Sequence, residues 1–137
     1  MTDEETAKSV SPDELLARFS LYKSHLRQDW TVKPDAFIPH PWPELSVTRH
    51  LLLLENELWM IGWIVARQTA RTLHGRADFP AAVVQQHKLQ VVAAPVPDNP
   101  NHANITGWPP DKPAQKAIAQ EIAASVGKAR KAPSDMG

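Results

Sequence analysis

Residues 55–70 read ENELWMIGWIVARQTA. Leu58, Ile61 and Val65, with Leu54 ahead of them, fall on one helical stripe, and Trp59, Trp63, Ala66 and Ala70 fall on the next. Spacings of three and four predict a helix buried over much of its surface. Such a helix needs another layer to lie on, so its flanking segments decide the fold.

Upstream, Leu45–Arg49 (LSVTR) alternates Leu45, Val47 and Arg49 against Ser46 and Thr48, which predicts a strand. Further back, Ser11-Pro12-Asp13-Glu14 has a capping serine, a proline at the first helical position and a glutamate that completes a capping box. This predicts a short helix over 11–19 with Leu15, Leu16 and Phe19 inward. SLYKSHLR (20–27) is open between strand and helix, and Pro34 restricts any strand over 31–38 to an edge.

Downstream, a strand is expected over 72–79, with Gly75 permitting a bulge. A short helix over 80–87, a strand over 89–94 and an extended segment over 102–106 follow. Asp111 then caps a helix to about Val126, where Ala114, Ile118, Ile122 and Val126 form an i, i+4 row and Gly127 stops it. Residues 1–10 and 128–137 lack apolar periodicity and read as flexible tails around one domain, 11–127. Helices interleaved with short, proline-bounded strands imply an α+β fold: a small mixed sheet packed against two main helices, about 55–70 and 111–126.

The chain has 137 residues, 42% hydrophobic and 22% charged, enough for one hydrophobic core. Fifteen Lys and Arg balance fifteen Asp and Glu, so the basic excess of a DNA-coating protein is lacking. The absence of cysteine excludes disulfides, thiolate catalysis and cysteine-ligated metal centres. The polar start MTDEETAKSV is unlike a signal peptide, and no apolar run approaches the roughly 20 residues of a membrane span, so a cytoplasmic location is expected. No phosphate or dinucleotide glycine loop and no histidine pair at metal-ligand spacing occurs, so neither a cofactor nor a metal is expected.

Three segments then stand out: FSLYKSHLRQDWTVKPDAFIPHPWPELSVTRH (19–50), LHGRADF (73–79) and NHANITGWPPDKPAQKAIAQEIA (101–123). Together they resemble a family of small bacterial proteins of unknown function, with the pattern ELSVxR … GRAD … HANIxGWP. The resemblance spans roughly 19–124 and departs at Leu51–Glu57. It implies a common fold without an activity, and singles out Lys23, Arg27, Lys33, Arg49, Gly75, Arg76, Asp78, His102, Asn104 and Trp108.

The candidate site residues follow from chemistry. His102 and Asn104, alternating on an extended segment, share a face; His102 suits acid–base work and Asn104 positioning. The plainer reading is that both fix the proline-rich loop through hydrogen bonds. Arg49, Arg76 and His74 suit phosphate or carboxylate recognition, or else pair with acids such as Asp29, Asp35, Glu44 and Asp78. Trp108 is either core or a stacking platform, and Lys112 adds charge at the helix start beside Asp111. A zinc site from His74, His102 and Asp78 is a minor alternative.

The expected function is therefore a binding or accessory module that contacts a partner protein or RNA through Arg49, Arg76 and the His102–Lys112 loop. The alternatives are a small enzyme acting on a phosphorylated or nucleotide-like substrate, with the two arginines as anion clamp, and a toxin–antitoxin or phage-defence component. Both leading readings need Arg49, Arg76 and His102 beside one another.

Overall fold

A computed structural model describes residues 10–40 and 43–133. Six strands, β1 (Leu15–Ser20), β2 (Leu45–Arg49), β3 (Gly75–Pro80), β4 (Gln90–Ala93), β5 (His102–Thr106) and β6 (Arg130–Lys131), form one sheet in the order β4-β5-β2-β1-β3-β6. Every pairing is antiparallel, so the α+β class holds while the sheet is not mixed. Three helices accompany it: α1 (Glu55–Gln68), the single turn α2 (Ala82–Gln85) and α3 (Lys112–Val126).

The helix expected over 11–19 is instead the central strand β1. Its capping signals are used otherwise: Ser11 Oγ donates to Asp13, and Glu14 accepts from Arg49. LLARFS (15–20) pairs with β3 along its whole length and with β2 on its other side, with Leu16, Ala17 and Ser20 buried. Strand pairing over both edges outweighs a local start signal. Thr31–Ile38 forms isolated bridges and a 3₁₀ turn, Pro34–Phe37, in place of an edge strand.

The far end also differs from expectation. Lys128–Pro133, read as part of a flexible tail, contains β6; Ala129 N–H bonds Trp30 O at 2.8 Å and Ala132 N–H bonds His74 O at 3.1 Å. Backbone pairing there needs no side-chain periodicity, which is why the pattern missed it. The expected tails at 1–9 and 134–137 lie outside the described residues.

The sheet's two faces are treated unequally. One face carries Leu16, Leu45, Val47, Ala77, Phe79, Ala103 and Ile105 and packs under the 34–37 turn and α3, whose Ile118, Ala119, Ile122 and Ala123 are buried. Asp111 caps α3 by accepting from Ala114 N–H at 3.0 Å, and Gly127 ends it at a positive φ of 69°. The other face meets α1 and, beside His102, the β4–β5 loop, whose Asn99 donates to Thr48. That helix closes on the sheet at Gly62, where a Cβ would come within 2.8 Å of Phe19 on β1. Its buried residues are Leu58, Ile61, Gly62 and Ala66, with Trp59 and Trp63 half-buried, so the face it hides is narrower than its two stripes suggest. Leu52, in the turn before α1, is 97% exposed.

Candidate functional site

β5 fixes where the predicted site residues go. His102 opens the strand and Thr106 closes it, about 13 Å further along at roughly 3.3 Å per residue. Trp108, Asp111 and Lys112 therefore lie at the opposite end from His102, and the loop expected to gather all of them is a strand that separates them. Trp108 is buried among core residues and its Nε1–H donates to Ile105 O at 2.9 Å. Lys112 is exposed at the start of α3.

The arginines are also held apart. Arg49, 2% exposed, faces the α3 side and forms a two-pronged pair with Glu14, Nε to Oε2 at 2.7 Å and Nη2 to Oε1 at 2.8 Å. Arg76, fully buried, faces the α1 side. It donates to both oxygens of Asp78 at 2.8 and 2.9 Å and to Glu55 at 2.8 and 3.3 Å, and its guanidinium lies 4.8 Å from the Trp59 ring centre. Asp78 further accepts from His50 at 3.0 Å and Arg130 at 3.2 Å. Burial works to raise the Asp78 pKa, but hydrogen bonds from His50 and Arg76 more than reverse it and leave the carboxyl lowered. Glu55 is lowered first by its hydrogen bond from Arg76.

His102 shares Arg76's face of the sheet. The cross-strand row Asp78–Ala17–Thr48–His102 spans three strand spacings of about 4.8 Å, so some 14 Å separates the histidine from the Asp78–Arg76 cluster. Between them lies a cleft of about 240 Å³, lined by Phe19, Thr48, Ile64, Val65, Val96 and His102 among others. Ala17, the small residue of the row, forms part of its lining.

The cleft's polar groups are almost all committed. Asn99, buried, donates to Thr48 Oγ1 at 2.8 Å and accepts from Asn101 N–H at 3.1 Å; Asn101 in turn donates to Arg49 O at 2.9 Å. Gln68 at the end of α1 donates to Asp98 at 2.6 Å and ties the helix to the β4–β5 loop. Asn104 accepts from Ser46 Oγ at 3.4 Å on the uncovered part of the sheet.

His102 Nδ1 lies 2.9 Å from Ala94 O. A carbonyl only accepts, so Nδ1 carries the proton and Nε2 keeps its lone pair in the neutral ring. Among the described residues Nε2 has no partner. The loop-fixing role and an available acceptor thus coexist on one ring.

His74 sits at the start of β3, at the sheet's other end, where its backbone bonds Ser20 and Ala132. Arg18, which the sequence reading passed over, donates to Ala36 O and Ser46 O at 3.1 and 2.9 Å; burial pushes its pKa down to about 10. No sequence signal marks it, because both partners are backbone carbonyls. Among the described residues no group of three or more His, Asp or Glu is placed to hold a metal, and no helix is long and apolar enough to cross a membrane. No family model, curated protein or solved structure matches the chain.

Proposed function

We propose that this protein is a binding module that seats one aromatic, donor-bearing side chain of a partner protein in the cleft between α1 and strands β2 and β5. The lone acceptor of His102 would take a hydrogen bond from that side chain. The observation that carries this reading is the pairing of an apolar cleft with one uncommitted nitrogen. At about 240 Å³ the cleft falls below the roughly 300–1,000 Å³ of whole small-molecule sites and suits a single anchoring group. Tyrosine and tryptophan, with an apolar body and one donor, match it and are the usual interface anchors.

The geometry favours this over the alternatives. An anion clamp needs Arg49 and Arg76 to be available, and each is matched by carboxylates, on opposite faces of the sheet. With a zero net charge, the same pairing weakens the case for an RNA partner, whose affinity rests on uncommitted cations.

The test is an amide-shift titration with N-acetyl-tryptophanamide and N-acetyl-tyrosinamide at millimolar concentrations, with N-acetyl-leucinamide for comparison. Perturbations are expected at Thr48, Val65, Val96 and His102. Val65→Trp, which fills the cleft, should abolish them. His102→Phe should weaken the two donor-bearing probes by about fivefold and leave the leucine probe unchanged, one hydrogen bond being worth ~1 kcal/mol. Perturbations elsewhere, or none, would contradict the proposal.

A further inference from the structure

The sheet has two edges, and the sequence protects only one. β6 is two residues long, Arg130–Lys131, and both are charged, a device that discourages strand addition. β4, Gln90–Ala93 (QVVA), has no charge, no proline and two β-branched residues. Val92 is 45% exposed.

The hydrogen-bond pattern defines what this edge offers. Ala94 N–H bonds His102 O at 2.9 Å, so Ala94 points inward to β5. Alternation then turns Val92 and Gln90 inward as well, and aims the N–H and C=O of Val91 and Ala93 away from the sheet. Among the described residues these four groups have no partner. The open ladder is closed off at both ends: Leu89 N–H is spent on Val84 O at 3.2 Å, and Pro95 has no N–H. Leu89 and Pro95 lie at equal distances along the chain from Val92.

That symmetry decides the occupant. The geometry points to a second copy of this chain, its β4 laid antiparallel against the first about a two-fold axis at Val92. Val91 of each copy exchanges both backbone bonds with Ala93 of the other, which uses all the open groups. Val92 meets Val92 as the close, non-hydrogen-bonded pair. Pairing about this axis keeps each face on its own side, so the two sheets become continuous. A groove of about 420 Å³ along the same edge, lined by Val10, Gln85, Leu89 and Val91, gives the incoming strand apolar contact. No charge opposes a like charge within the paired strands, whereas β6 against β6 would set Arg and Lys together. A four-residue strand makes this a weak, reversible dimer. It is independent of the cleft.

Sedimentation velocity over a micromolar-to-millimolar concentration series tests it. The wild-type chain should dimerise reversibly. Val92→Lys and Val92→Glu, at an exposed position, should each remain folded by circular dichroism and raise the dimer Kd by about tenfold or more, and an equimolar mixture of the two should recover dimerisation as a heterodimer. The recovery is specific to this register, since only an axis at residue 92 sets the two substitutions opposite. A wild-type chain that stays monomeric throughout, single variants that dimerise as well as wild type, or a mixture that does not recover would each overturn the inference.

Discussion

Among the described residues, Asp78 pairs with three basic side chains. It lies two positions from Arg76 on β3, so both project to one face, and it accepts from Arg76, His50 and Arg130. Removing it leaves a fully buried guanidinium with Glu55, itself 60% exposed, as its remaining carboxylate among the described residues. Asp78→Ala should cost about 3–5 kcal/mol of unfolding free energy in urea, the range for breaking a buried pair. Arg130→Ala, at the exposed rim, should cost no more than about 1 kcal/mol. A loss below about 1 kcal/mol for Asp78→Ala would contradict this account of the cluster.

The same residue sets the acid limb of stability. Its folded pKa lies below its ordinary 3.8, and that of Glu55 below its ordinary 4.5. The stabilisation is therefore fully present above these values and is lost as pH falls through the lowered ones. Urea midpoints measured against pH should stay level from neutrality to roughly pH 5 and fall steeply below about pH 4. The fall should be shallower in Asp78→Ala. The acidic partner was visible in GRAD as an i, i+2 pair, but Glu14 and Glu55 come from other elements, so the sequence left both arginines open as anion binders.

Among the elements, α1 was the most legible and β1 the least. ENELWMIGWIVARQ carries a periodicity that needs no partner to be read. LLARFS is a good helix former and becomes a strand only because β2 and β3 bracket it, information held more than twenty residues away. Gly62 records how α1 meets that strand. Alanine there should gain about 1 kcal/mol in helix propensity. Its Cβ would sit 2.8 Å from Phe19 Cε1 and 3.1 Å from Leu73 Cδ2, however, and such crowding costs about 1–3 kcal/mol. Gly62→Ala should therefore destabilise by about 1 kcal/mol net in chemical denaturation, and Phe19→Leu in the same chain should recover part of the loss. A stabilised Gly62→Ala would show that helix and strand do not touch as described.

For the whole molecule, the decisive fact is asymmetric coverage. α3 and the 34–37 turn cover the core on one side of the sheet, while α1 covers part of the other and leaves the cleft at β2 and β5. Strand order could not be read from the chain, because neighbours such as β2 and β5 are more than fifty residues apart. The alternation that puts His102 and Asn104 on one face was legible; the side of the sheet that face belongs to was not. The functional reading depends on the direction in which His102 holds its proton. Long-range ¹H–¹⁵N correlation at alkaline pH, with the ring neutral, measures this directly. A protonated Nδ1 is expected, with a bare Nε2 whose ¹⁵N shift moves when N-acetyl-tyrosinamide is added; a ring protonated at Nε2 would overturn the proposed binding mode.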